Sequence, residues 1–520
     1  MTTSLLLTNA RVHRSAHDTE PAEAVLIEDG RIVWTGPRTA APDAAAVRDL
    51  GGRVMLPGLT DAHLHVFMLA LSRLQVSFAR TPVHDFAALV RALREAPREG
   101  WVLGCDLMED RLAERRLPDR TVLDAAFPDR PVLLRRYCGH VAILNGAALR
   151  ALGLGEGTAD PEGGRFHRAA DGTLTGIAEE TAAERVFRAA PGPSADRMSA
   201  EISAVIADCA ALGLTSLVEA AVGFSIGYDR EAEVWAAMRG GLGARMGFML
   251  QLEAGEAAAR GLVPEWGEEW SAETLKFFAD GIIGGRSGAV SIPYDDSGGL
   301  GMLIQPEGVL ERQFADAQTA GWRIAVHATG DRAVARVATA MRAAQGDGPR
   351  RRHRIEHCFV PPEGIFADLA RAEILTVMQP GFLDRMGGSI AAALGPRTAR
   401  AYPGASVLAA GAPLAFSSDA PTGPLSPWVG MRAAIDRIGG HGGAIGPDEA
   451  LDRSAALDAY IGGGARAMRH ERFRGQIAAG QAADLAVLDV DVFAAPPDEL
   501  ADTRAVLTLR GGEIVHENGI

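Results

Sequence analysis

Two histidines one residue apart, His63 and His65, close an apolar run that begins Met55-Leu56-Pro57-Gly58. In an extended strand, residues i and i+2 project to one face roughly 7 Å apart at Cα, so both imidazoles can converge on a single metal ion. Three further donors end apolar runs of the same kind: His327 after Ile324-Ala325-Val326, His357 after Ile355-Glu356, and Asp419 after Phe416-Ser417-Ser418. Any one of them alone reads as an ordinary satisfied polar group. Together, imidazole nitrogens and a carboxylate form a donor set that suits Zn2+ first, then Mn2+, Fe2+ or Co2+. A bound ion of this kind draws the pKa of water toward neutrality and makes it a nucleophile. A compositional oddity joins the five: among the 52 Lys+Arg residues, Lys276 is the one lysine. In an Ala-, Gly- and Arg-rich chain that has lost lysine almost everywhere, the retained one raises the question of what an amine does that a guanidinium cannot. Arginine stays protonated, whereas a lysine amine can become neutral and nucleophilic.

These residues must be positioned by a scaffold, and the sequence between residues 53 and 420 supplies its rhythm. Short apolar strands alternate with Ala-rich amphipathic helices: Arg53–Val66, Thr215–Ala220, Ala244–Leu252, Thr274–Gly281, Arg323–Gly330, Arg354–Cys358, Leu375–Pro380 and Leu414–Ala420 are the candidate strands. Helical stretches such as Ala195–Leu212, Gly308–Ala320, Arg332–Ala344 and Glu363–Ala372 lie among them. Eight strands alternating with helices predict a (β/α)8 TIM barrel, whose active sites assemble at the C-terminal ends of the strands. The candidate donors fall at the ends of the first, fifth, sixth and eighth strands, where such a site would be. No G-x-G-x-x-G opens a helix after the first strand, which argues against a doubly wound dinucleotide-binding sheet.

The long gap between the first two strands predicts an inserted α+β subdomain over residues 67–199, emerging at the barrel's active face and covering the site. The chain ends have another character. Leu5–Val12, Ala24–Ile27 and Arg31–Gly36 resemble Asp484–Leu488, Ala505–Leu509 and Glu513–His516, with Asp29-Gly30 and Gly511-Gly512 as turns. They predict one small β-sandwich domain composed of residues 1–55 and 470–520, leaving 56–66 and 200–469 for the barrel.

Composition narrows the partners. A net charge of −14 speaks against nucleic acid or an anionic membrane surface. No run approaches 18 apolar residues, and the N-terminal segment meets its first basic residue only at Arg11, so neither a membrane span nor a secretory signal is expected and the protein reads as cytoplasmic. Cys105, Cys138, Cys209 and Cys358 form no C-x-x-C and fit buried, reduced thiols. The expected partner is a small-molecule substrate, and a homodimer is the default expectation for an enzyme of this kind.

Along nearly its whole length the sequence resembles the amidohydrolase superfamily, in particular the amidohydrolase-3 branch of YtcJ-like and N-substituted formamide deformylase-like proteins. The resemblance rests on Met55-Leu-Pro-Gly-Leu-Thr-Asp-Ala-His63-Leu-His65, Leu275-Lys276-Phe-Phe-Ala-Asp-Gly281, His327-Ala-Thr-Gly-Asp331-Arg-Ala-Val334, Arg354-Ile-Glu-His357, Ser418-Asp419-Ala-Pro421 and Gly480-Gln-Ala-Ala-Asp484-Leu485. It implies that His63, His65 and Asp419 hold one metal, His327 and His357 a second, and that Lys276 bridges them after adding CO2 to become a carbamate. It further implies Asp419 as the general base and hydrolysis of a non-peptide C–N bond, of amide or N-formyl type. His140, within Tyr137-Cys-Gly-His-Val141, resembles a branch motif for substrate contact, with a hydrogen-bonded subdomain histidine as the equal alternative. Arg286, Asp331 and Gln379, near strand ends, are further candidates for substrate or ligand support, helix capping being as good an account of Asp331. Asp280-Gly281 reads equally as a turn. Two other enzymatic readings stay open: a mononuclear, deaminase-like site with Lys276 unmodified, and a cyclic-amide or lactone hydrolase on the same barrel. A non-catalytic scaffold would be expected to have lost a ligand, and all six are present.

Overall fold

A computed structural model of the protein describes residues 4–97 and 100–519. Eight parallel strands lie side by side in chain order: β1 (Leu59–Leu64), β2 (Leu214–Val222), β3 (Arg245–Leu250), β4 (Trp270–Phe278), β5 (Arg323–Ala328), β6 (Arg354–His357), β7 (Leu375–Met378) and β8 (Leu414–Phe416). Backbone hydrogen bonds from Asp419 N to His63 O (2.8 Å) and from His65 N to Ala420 O (2.9 Å) bring the segment after β8 back to β1 and bring the barrel close to closure. Every residue of β1, β2, β3, β5, β6, β7 and β8 is buried, because one face meets the barrel interior and the other meets helices. Burial on both faces is why these strands read as unbroken apolar runs rather than alternating ones. The helix Asp331–Gln345 shows the complementary pattern, burying Ala333, Val334, Val337, Ala338 and Met341 along one stripe.

The stretch read from sequence as one strand, Arg53–Val66, is two. Ala46–Pro57 belongs to the sheet of the chain ends, and β1 begins at Leu59. The break falls at Gly58, where a Cβ would stand 2.3 Å from Thr215 Oγ1 of β2, so only glycine lets the chain pass between the two sheets here. Strands from both ends of the chain form one continuous seven-stranded sheet, ordered Glu513–Glu517, Ala505–Arg510, Leu485–Leu488, Ala46–Pro57, Ser4–Val12, Ala22–Glu28, Arg31–Gly36. Its core gathers Leu7, Val25 and Met55 with Val487 and Leu507. Asp484 fastens this sheet to the barrel: both its oxygens take the buried Arg245 guanidinium of β3, at 2.6 and 3.0 Å, and it also accepts from Gly511 N. Removing one partner of such a buried pair leaves an uncompensated charge, typically a loss of about 3–5 kcal/mol.

A second compact unit comprises residues 66–202 together with 222–238. Its six-stranded sheet runs Gly164–Arg168, Leu174–Glu180, Val141–Leu144, Val132–Arg136, Val102–Leu107, Val76–Ser77. A core of Leu133, Leu144, Phe166 and Phe187 packs with it. Glu231, on the helix Tyr228–Ala237, is fully buried and accepts from the backbone N–H groups of Gly223, Ser225 and Ile226, each at 2.7 Å. All four cysteines are buried and none is in a disulfide among the described residues. Among the described residues no helix is long and apolar enough to cross a membrane.

Candidate active site

The six predicted ligands all belong to barrel strands or the residues directly after them. His63 lies in β1 and His65 just beyond it, Lys276 in β4, His327 in β5, His357 at the end of β6, and Asp419 three residues past β8. Strand geometry alone brings His63 and His65 to one face, but it does not account for His357. In β6, Arg354 and Glu356 share a face: Arg354 reaches Ala62 O of β1 at 2.6 Å and binds Glu356 at 2.5 and 2.9 Å. β1 is not a neighbour of β6 in the sheet, so this pair spans the barrel interior. Plain alternation would then turn His357 away. Left-handed backbone at His357 (φ 72°) and Cys358 (φ 44°) brings its ring back to within 5.1 Å of His63's, centroid to centroid. Asp419 also has φ 51°. Such conformations cost a bulky residue about 1–3 kcal/mol and persist where surrounding structure imposes them.

Inside this ring of strand ends the donors converge. Asp419 Oδ1 stands 3.3 Å from both His63 Nε2 and His65 Nε2. One ligand atom each from His63, His357 and Asp419 lies within 4.8 Å of the others, and the His327 and His357 rings are 4.4 Å apart. Three imidazoles are fixed through the nitrogen that faces away from the cluster. His63 Nδ1 donates to Glu356 at 2.5 Å, His357 Nδ1 to Gln379 Oε1 at 2.8 Å, and His327 Nε2 to Gly281 O at 2.9 Å. Each partner is an acceptor, so whenever a ring is neutral its opposite nitrogen carries the lone pair.

These residues fit a divalent cation. His63 Nε2, Lys276 Nζ and Asp419 Oδ1 are buried and make no hydrogen bond. Burying a polar atom without a partner costs free energy, and three such atoms in one constellation are the donors a cation would satisfy. Burial lowers Lys276 to about 8, with its Nζ 4.9 Å from the Phe278 ring. Burial likewise lowers His65 to about 4 and His357 to about 3. For Asp419 burial works the other way, yet the His63 and His65 imidazoles 3.3 Å away outweigh it and hold the carboxyl well below its ordinary range. Neutral imidazoles and an ionised carboxylate are the protonation states a metal ion requires.

The weaker candidates divide. Gln379, directly after β7, is drawn into the cluster, holding His357 through Oε1 and donating to Ser417 Oγ at 2.9 Å. Arg286 is committed to Asp296 and to Ser389 Oγ (2.7 Å). Asp331 is the first residue of its helix and accepts from Ser291 N at 2.8 Å, without capping the helix. His140, in the second unit, bonds Glu180 at 2.8 Å. Burial opposes its protonation, but the Glu180 carboxylate prevails and raises it to about 9. Three residues escaped notice. Asp280, readable as half of a turn, is fully buried and accepts from Ala289 N, Thr329 N, Gly330 N and Thr329 Oγ1 at 2.8–3.0 Å. It joins the loop after β4 to the loop after β5, where a Cβ at Gly330 would meet Ala289 O at 2.1 Å. Asp61 accepts from His63 N and Ser418 N at 3.2 and 3.1 Å, and Glu356 holds His63. All three are acidic residues within or just beyond apolar runs, and that was their available signal.

Fold and site together define the class: a barrel hydrolase fold with buried polar donors gathered at the C-terminal ends of parallel strands. The sequence profile of the amidohydrolase family, amidohydrolase-3 branch, matches residues 46–516, and the chain belongs to that family of hydrolases. It is 30% identical to the YtcJ amidohydrolase of Bacillus subtilis, over 97% of this chain and 98% of that one. It is 28% identical to the N-substituted formamide deformylase of Arthrobacter pascens, over 99% and 98% of the two chains. In fold it resembles a metal-dependent hydrolase of Pyrococcus horikoshii, with a TM-score of 0.78 at 23% identity over 95% of this chain and 99% of that one.

Proposed function

We propose that this amidohydrolase cleaves a non-peptide C–N bond of amide or N-formyl type at a two-metal centre. The observation that carries the reading is the set of buried donor atoms without hydrogen bonds, Lys276 Nζ, His63 Nε2 and Asp419 Oδ1, close to the further imidazoles of His65 and His357. One ion would be held by His63, His65 and Asp419 and a second by His327 and His357, with Lys276 N-carboxylated between them. Zn2+ fits the nitrogen-rich donor set best. When bound, the ions would polarise the scissile carbonyl and make water acidic enough to attack near neutral pH. The relationship to an N-substituted formamide deformylase favours N-formyl and N-acyl amines as substrates.

The protein's own residues carry the rest. Asp419 stays ionised, so its Oδ1 can take the proton of the attacking water and deliver it to the departing nitrogen, which must leave as a neutral amine. Lys276, buried with its Nζ 4.9 Å from the Phe278 ring, holds an amine that can lose its proton and add CO2, turning a buried cation into a two-oxygen anionic ligand. The test is one preparation loaded with Zn2+ in bicarbonate, analysed for metal and screened on N-acyl amines, N-formyl compounds, hydantoin-like rings and lactones. Two ions per chain, a 13C carbamate resonance after 13CO2 exchange, and turnover of the open-chain amides are expected. One ion with a bare amine would instead favour a mononuclear site, and inertness across the panel would overturn the reading.

A further inference from the structure

We propose that Glu356 is the positioning residue that selects the metal-binding form of His63, held in turn by Arg354. The inference rests on the metal-centre reading above and adds a residue to it. Glu356 is fully buried in β6 and touches two partners that lie on different strands. Arg354 Nε donates to its Oε1 at 2.5 Å and Arg354 Nη2 to its Oε2 at 2.9 Å, a two-pronged grip that fixes the plane of the carboxylate. His63 Nδ1 donates to Oε2 at 2.5 Å. Arg354 is itself anchored across the barrel on Ala62 O, one residue from His63.

The chain of contacts therefore runs from β1 to β6 and back to β1. A carboxylate only accepts, so His63 keeps its proton on Nδ1 and presents an unprotonated Nε2 toward Asp419. The other supported imidazoles have weaker acceptors, a side-chain amide for His357 and a backbone carbonyl for His327. Of these three hydrogen bonds, that of His63 is the one made to a carboxylate, the acceptor that holds a ring proton most firmly. A purely structural Arg354–Glu356 pair would need no histidine on the shared oxygen. Nor would it need the left-handed turn at His357 that lets Glu356 and His357 face the same interior.

The test uses the metal-free protein labelled with 15N-histidine, with the His63 signals identified by their loss in His63→Asn. His63 in the unsubstituted protein is expected to be protonated at Nδ1. In Glu356→Gln the amide NH2 competes for Nδ1 as a donor, so that preference should be lost. Zn2+ affinity, measured by chelator competition, should fall about 10–100-fold. Glu356→Asp, which keeps the charge on a shorter arm, should lie between the two. A His63 protonated at Nε2 in the unsubstituted protein overturns the proposal whether or not the variants fold. So does a folded Glu356→Gln with unchanged tautomer and Zn2+ affinity. Failure of the unsubstituted protein to bind Zn2+ would sink the metal-centre reading itself and this proposal with it.

Discussion

Buried polar groups of the second compact unit and three at the barrel's strand ends are held in opposite ways. In the second unit, Glu231 takes three backbone N–H groups, Arg136 grips Glu109 with Nε and Nη2, and His140 pairs with Glu180. Asn145 uses both ends of its amide, accepting from Val132 N and Ala148 N and donating to Phe127 O and Arg130 O. At the barrel's strand ends, Lys276 Nζ, His63 Nε2 and Asp419 Oδ1 are equally buried and make no hydrogen bond. A satisfied buried network specifies structure, whereas gathered donors without partners specify something still to be bound. Depth of burial does not separate a site from a core here; the gathering of three unpartnered groups of metal-ligating type at one set of strand ends does.

The sharpest way to break that contrast is at Lys276. Lys276→Arg keeps the charge but cannot form a carbamate, so kcat/KM should fall on the order of 10^3-fold or more, the several kcal/mol a Lewis-acid centre supplies. Metal content should drop with little change in the thermal midpoint. Lys276→Ala should recover part of the activity when a short-chain carboxylic acid is added. Turnover by Lys276→Arg at the unsubstituted rate would mean that the missing partner is not a metal bridge.

Glu231→Ala probes the satisfied side. It leaves three buried N–H groups without an acceptor, offset partly by removing a carboxyl that burial has raised to about 7, for a net loss of roughly 3 kcal/mol. Its unfolding midpoint should fall while Zn2+ per folded chain stays constant. Loss of metal in this variant would show that the two classes of buried group are not separable.

His140 adds a pH signature. Its folded pKa lies near 9, above the ordinary 6.5, so the stability it contributes is complete below pH 6.5 and disappears as pH rises through 9. The span corresponds to at most about 3 kcal/mol. Denaturation midpoints measured from pH 6 to 9.5 should decline more steeply in the unsubstituted protein than in His140→Gln. Parallel curves would remove Glu180 as the cause of the shift.

What could be read from sequence follows from which physical constraints leave a linear trace. The eight strands were legible because burial on both faces makes each an apolar run, and Lys276 stood out against a background of arginine. The clustered histidines were legible because they end such runs. Glu356 was not, since it sits beside His357 and ordinary alternation would place the two on opposite faces; the left-handed turn at His357 reconciles them, and no spacing announces it. Asp280 was hidden for a related reason, because Asp-Gly is the commonplace vocabulary of turns while its four donors come from residues 289 and 329–330. The partner of Arg286, Asp296, lies ten residues along the same loop, and only the folded loop shows the pair.

The smallest expected effect lies where the two kinds of group meet. Gln379 is itself satisfied, donating to Ser417 Oγ and accepting from His357 Nδ1, and in the proposed metal centre it would keep the His357 proton on Nδ1. Gln379→Leu should free the His357 ring to change tautomer and rotate, while Tyr402 Oη, 3.4 Å from Gln379 Oε1, loses a neighbour it holds only loosely. Supporting partners of metal-binding histidines typically matter about 10–100-fold, and a neutral amide should fall at the lower end of that range. Zn2+ affinity is therefore expected to drop about 10-fold, less than in Glu356→Gln, where a full charge is removed. If Gln379→Leu weakened Zn2+ as much as Glu356→Gln, the acceptor's charge would not set the rank, and the imidazoles would be held by packing alone.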